Sequence, residues 1–172
     1  MKWQDLVCDI QDYPKKGIVF KDITPLLANG QAFNEAIEEL ASFCEREGQV
    51  PDALACPEAR GFIFASALAQ RLKIGFIPLR KPGKLPRKVA RTTYDLEYGQ
   101  DTLEVHREDV RQGMRIMMVD DVLATGGTMQ ACIELLESLG AQVIGCAFLL
   151  EIEALGGRKR LQDKVICSLI RS

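Results

Sequence analysis

The chain is poor in the residues that most often hold metals. Its 172 residues include a single histidine, His106, and six cysteines scattered at positions 8, 44, 56, 132, 146 and 167 with no CxxC pair. That spacing argues against a zinc site or a disulfide framework and fits reduced packing thiols. There is no run of eighteen apolar residues, and the opening "MKWQDLVCDIQDY" has no signal-peptide core. No membrane association is therefore expected, and the expected setting is the cytoplasm. A net charge of −2 gives no global basic field, so no nucleic-acid partner is expected. GxGxxG is missing, and the one Gly-Gly-Thr loop carries no Walker lysine.

What remains is an ordinary globular composition, 47% apolar and 27% charged, long enough for one domain over residues 1–172 with a real core. Charge is uneven locally. Arg80, Lys81, Lys84, Arg87, Lys88 and Arg91 fall in twelve residues with no acid among them, a solvated loop or an anion site.

Apolar spacing at Trp3, Leu6, Val7 and Ile10 predicts a short opening helix. "YPKKGIVFKDITPLL" reads as an ordered loop with an extended piece at Ile18–Phe20. Helices are expected over Ala32–Arg46 (stopped by Gly48), Phe62–Leu72 and "GTMQACIELLESLG". Strands are expected at "DALAC", "IGFIPL", "RIMMVDDV", "AQVIGCAFLLE" and "KVICSLI", with a hairpin formed by "TTYDLEYG" and "DTLEVH" about Gly99-Gln100. Strands alternating with helices imply an α/β fold, a mostly parallel twisted sheet flanked by helices with right-handed crossovers.

The most informative stretch is "MMVDDVLATGGTM", Met117 to Met129. Arg115–Val119 reads as a strand with Asp120 and Asp121 at its carboxyl end, where open α/β sheets bind ligands. Thr125, Gly126, Gly127 and Thr128 then turn into a helix whose amides suit a phosphate. Two carboxylates suit a vicinal diol or a hydrated cation instead. A ribose 5-phosphate presents both chemistries, so the stretch reads as a sugar-phosphate clamp. A plain strand–turn–helix with one capping acid would not need two acids and TGGT.

"MVDDVLATGGTM" resembles the phosphoribosyl-pyrophosphate signature of the type I phosphoribosyltransferases. "GIVFKDITPLL", "EARGFIF", "RKPGKLP", "YDLEYGQDTLEVH" and "FLLEIEALGGRKRL" extend the resemblance over nearly the whole chain, in the order of that family's adenine branch. The ATGGT form separates it from orotate enzymes (TTGGS) and hypoxanthine-guanine enzymes (DTG).

The resemblance implies transfer of a phosphoribosyl group from phosphoribosyl pyrophosphate to adenine, giving AMP and pyrophosphate, in a homodimer that uses Mg2+ held through the substrate rather than directly by the protein. It implies that Ala124, Thr125, Gly126, Gly127 and Thr128 hold the 5-phosphate. Asp120 and Asp121 face the ribose hydroxyls and stabilise positive charge on the ring. Arg60, Lys81 and Lys84 bind pyrophosphate, with Arg80 reaching across the dimer. Glu97 is the catalytic glutamate on a small mobile hood, beside Tyr98. Adenine is read by the Val19 carbonyl and the Lys21 N–H, between Phe20 and Leu155. Residues 1–30 form the hood and base-binding segment, and 82–106 a flexible loop and hairpin, with Pro82–Thr93 as the lid. Cys56-Pro57 departs from the family pattern, and Pro57 removes an amide donor from that turn. A transferase for another purine such as xanthine, and a non-catalytic sensor of phosphoribosyl pyrophosphate, are the competing expectations.

Overall fold

Three inner strands buried deeply enough to read as near-continuous apolar runs assemble, with a less buried strand at each edge, into one parallel sheet. In a computed structural model of the chain, residues 2–46, 50–96 and 98–172 are described. They fall into two compact units, one ending at Glu39 and the other beginning at Leu40.

In the first unit the expected opening helix is only a single 3-10 turn, Trp3–Leu6. Val7 is already extended (φ −95°, ψ 109°), and β1 (Cys8–Ile10) pairs antiparallel with β2 (Phe20–Asp22). Four apolar residues at helical spacing are too few to outweigh a ladder that a distant segment supplies. Trp3 is buried, and its indole N–H donates to Glu39 Oε1 at 2.7 Å. The extended piece lies two residues later than expected. After it come α1 (Thr24–Ala28), with Pro25 in its first turn, and α2 (Gly30–Cys44). α2 buries Ala32, Ala36, Ile37, Leu40, Ala41 and Cys44, while Phe33 and Phe43 stay half-buried. The expected stop at Gly48 lies outside the described residues.

The second unit is built on β3 (Ala53–Pro57), β4 (Gly75–Leu79), β7 (Arg115–Leu123), β8 (Gln142–Glu151) and β9 (Ile166–Arg171), in the spatial order β4-β3-β7-β8-β9. All four pairings are parallel. α3 (Gly61–Leu72) joins β3 to β4, and α4 (Gly127–Ser138) joins β7 to β8. This is the expected α/β architecture. The strand order reverses between β3 and β7, so their carboxyl ends flank the crevice where such sheets take ligands.

β5 (Val89–Asp95) and β6 (Gln100–His106) form the expected hairpin, in full register from Val89↔His106 to Asp95↔Gln100. It starts three residues earlier than expected, so the last five residues of the supposed lid Pro82–Thr93 are strand. Ala90, Leu103 and Val105 bury their side chains in the core with Cys132, Ile133 and Leu136, which tertiary burial alone rewards. Reciprocal bonds between Arg80 and Glu104, 2.9 and 2.8 Å, tie the hairpin to the end of β4. No helix among the described residues is long and apolar enough to cross a membrane.

Candidate active site

β7 runs past its expected end. It passes the expected "RIMMVDDV" by one residue: Val122 pairs with Leu150 and Leu123 with Glu151, so Asp120 and Asp121 lie within the strand. Neighbours on a strand point to opposite faces. Asp121 is buried and paired with the Nε of Arg60. Asp120 Oδ1 accepts the Asp121 N–H at 2.9 Å. Burial, and then the adjacent Asp121 charge, push the Asp120 carboxyl well above its usual range.

The N-terminus of α3 explains the final glycine of "EARG". A Cβ on Gly61 would collide with Asp120 Oδ1 and lie 2.6 Å from Cys56 Sγ. Only a hydrogen at that position lets α3 press on β7 and carry Arg60 to Asp121. The Glu58–Ala59 peptide in the same turn is cis.

After Leu123 the chain leaves the sheet through Ala124 and Thr125. Gly126 adopts a left-handed conformation (φ 80°, ψ 0°) as the N-cap of α4. The turn aims the first amides of a three-turn helix at one place, with the positive end of its dipole. A cavity of about 470 Å³ is lined by this loop from Ala124 to Thr128 together with Glu58, Arg60, Asp120 and Asp121. Most of the residues picked from two distant motifs thus converge on a single crevice.

The basic loop converges on Glu58 in the lining of this crevice, a residue that sequence reasoning passed over. Glu58 Oε1 accepts from Arg80 Nε at 3.1 Å and from the Lys81 backbone N–H at 2.7 Å, and its Oε2 accepts from Lys84 Nζ at 2.6 Å. Burial pushes the Glu58 carboxyl up, but these donors outweigh it and hold the group at about 2. The signal was present in outline: one acid two residues before Arg60, facing a loop with no acid of its own. The Lys81 ammonium pairs with Asp101, which also accepts from the Tyr94 hydroxyl at 3.3 Å. Tyr94 is linked in turn to Thr128 in the loop after β7. A polar chain therefore runs from the basic loop to the loop of β7.

Glu97 lies outside the described residues, and its neighbour Tyr98 is 87% exposed. Val19, Phe20 and Lys21 belong to the first unit, where the Phe20 ring packs edge-on against Tyr13 and Lys21 Nζ pairs with Asp9 at 2.7 Å. Leu155 is exposed on a 3-10 turn, Glu153–Leu155, in the second unit. His106 is engaged with Arg87 and Asp109 at the foot of the hairpin.

The family description "Phosphoribosyl transferase domain" matches residues 26–171. An adenine phosphoribosyltransferase from Dichelobacter nodosus is 67% identical over 171 residues, 99% of this chain and 98% of that one. The chain belongs to the adenine phosphoribosyltransferase family. A crystal structure of the family member from Thermoanaerobacter pseudethanolicus is 50% identical, with a TM-score of 0.92 over 98% of this chain and 97% of that one. The Giardia lamblia enzyme, solved with 9-deazaadenine, is 38% identical, with a TM-score of 0.89 over 100% and 98% of the two chains. The phosphoribosyltransferase fold thus accounts for the parallel sheet and for a ligand crevice at the ends of β3 and β7.

Proposed function

We infer that this member of the family joins adenine to the phosphoribosyl group of phosphoribosyl pyrophosphate and releases AMP and pyrophosphate. The observation that carries this reading is the single crevice that gathers Arg60, Asp120, Asp121 and the loop Ala124–Thr128. Its two ends suit a phosphate and a diol on one sugar. In this reading the loop amides and the hydroxyls of Thr125 and Thr128 hold the 5-phosphate. Asp120 and Asp121 accept from the ribose hydroxyls and stabilise the positive charge that grows on the ring as the bond from C1 to pyrophosphate breaks. Arg60, with Arg80, Lys81 and Lys84, receives the leaving pyrophosphate. Glu97 takes the proton at the imidazole edge as N9 attacks.

The base is read by main chain, through the carbonyl of Val19 and the N–H of Lys21, with Phe20 and Leu155 offering its apolar faces. Lys21 spends its side chain on Asp9, which suits recognition through its backbone. A 6-oxo purine would set carbonyl against carbonyl and leave buried groups unpaired, a mismatch that costs orders of magnitude in kcat/KM. Residues 1–30 supply the base-binding segment, and 82–106 the cover that keeps water from competing as nucleophile.

Asp121 is committed to Arg60, which suits a magnesium ion held chiefly by the diphosphate and its own water. When bound, Mg2+ supplies charge neutralisation to the leaving group. A cytoplasmic homodimer, with Arg80 serving the neighbouring site, completes the proposal, and sedimentation of the wild type and of Arg80→Ala tests the assembly.

The deciding experiment follows pyrophosphate release from phosphoribosyl pyrophosphate with adenine, hypoxanthine, guanine and xanthine in parallel. Turnover with adenine alone is expected. Preference for another purine would move the specificity, and no turnover with any base would overturn the reading.

A further inference from the structure

The segment "GGRKRL" takes no part in the roles above, yet it brings a cation to the phosphate loop. α5 (Gly157–Arg160) docks on that loop by glycine-to-glycine contact. A Cβ on Gly157 would overlap the Ala124 carbonyl oxygen, and one on Gly126 would lie 3.0 Å from the Gly157 oxygen. This approach sets Arg160 beside the turn. Its Cβ lies 3.5 Å from where a Cβ would stand on Gly126, and its Nη1 lies 3.0 Å from that point on Gly127. With Thr125, Gly127 and Thr128, Arg160 also lines a second cavity of about 740 Å³ that extends to Asp95, Leu96 and Tyr98 at the hairpin tip. Among the described residues no hydrogen bond or ion pair engages its guanidinium.

The charges around the crevice make this position informative. Its lining carries three carboxylates, Glu58, Asp120 and Asp121, against one guanidinium, Arg60, which is already paired with Asp121. A phosphate monoester is close to a dianion at neutral pH. The loop Ala124–Thr128 contains no charged side chain, so its amides and the helix dipole offer only about half a unit of positive charge. The acids nearby oppose a dianion. A guanidinium at Gly127 supplies a full charge and a planar fork that matches two phosphate oxygens.

We propose that Arg160 is a further phosphate-binding residue, closing on the 5-phosphate of the donor and of the nucleotide product. The proposal rests on the reading of Ala124–Thr128 as the 5-phosphate loop. Arg160 is exposed and at the end of a one-turn helix, so its replacement leaves the fold intact, which melting curves check.

Calorimetry compares AMP with adenosine, which lacks the phosphate, on the wild type, on Arg160→Gln, on Arg160→Lys and on the double variant Thr125→Ala/Thr128→Ala. Arg160→Gln is expected to weaken AMP about tenfold and leave adenosine unchanged, with Arg160→Lys recovering part of the loss. The AMP effect should shrink as salt is raised. Equal loss for AMP and adenosine would reduce Arg160 to a structural role and overturn the proposal. Loss of AMP in the double threonine variant but not in Arg160→Gln would overturn the role of Arg160 alone. Unchanged AMP affinity in both would remove the phosphate-loop reading with it.

Discussion

Replacing Glu58 by Gln keeps the shape of the side chain and removes its charge. In the folded chain that carboxylate holds Arg80, the Lys81 N–H and Lys84, and these keep it at about 2 against an ordinary 4.5. Unscreened, the difference corresponds to about 3 kcal/mol. The Glu58 side chain is only 11% exposed, but those of Arg80 and Lys84 are 33% and 45% exposed, so solvent screening reduces the retained stabilisation to about 1–2 kcal/mol. A group whose folded value is depressed contributes fully above its unfolded value and loses the contribution as pH falls through the folded one. Urea unfolding of the wild type and Glu58→Gln at a series of pH values measures this directly. At pH 7 the variant should be less stable by about 1–2 kcal/mol, and the gap should close between about pH 4.5 and pH 2. A gap that stays constant over that range would show that Glu58 stabilises by packing rather than by charge, and the reasoning would fail. Kinetics add an independent check. With the hub neutral, Arg80 and Lys84 lose their anchor, so KM for phosphoribosyl pyrophosphate should change more than KM for adenine.

Two glycines give a paired test of the crevice wall. Gly61→Ala pushes a methyl into Asp120 and Cys56 and should cost about 1–3 kcal/mol and most of the turnover, whereas Gly75→Ala, whose Cβ would meet only Ala53 at 3.9 Å, should do neither; scanning calorimetry and initial rates compare them. Gly126→Ala combines a positive φ with the Gly157 oxygen at 3.0 Å and should weaken AMP binding and lower the melting temperature together. Burial pushes the Cys44 and Cys146 thiols up to about 12, and those of Cys56 and Cys132 higher still, so a thiol reagent at pH 8 should label the half-buried Cys8 and Cys167 first; rapid labelling of all six would contradict the described core. Chelation of Mg2+ should abolish transfer while leaving AMP binding in place, measured by rate and by calorimetry on one sample.

Much was legible because local pattern and tertiary outcome agree where burial is complete. The apolar runs of β3, β7 and β8 could only be inner strands, and the glycine loop after β7 could only be a turn into a helix that exposes its amides. The opening helix failed because Cys8–Ile10 gains more from pairing with Phe20–Asp22 than from continuing a helix, and that partner is ten residues away. The hairpin grew longer than its alternation suggested because Ala90, Leu103 and Val105 bury against α4.

The order of residues along the chain determined the fold class, the glycine loop after β7 and the acidic pair, since each depends on chemistry carried by a few consecutive residues. Only the tertiary structure decided that Glu58 gathers the basic loop and that Arg160 stands over Gly127. Such relations join residues 22 to 61 positions apart, or depend on two backbones touching where neither has a side chain. Spacing along a sequence carries no record of them, because packing in three dimensions sets which charges meet.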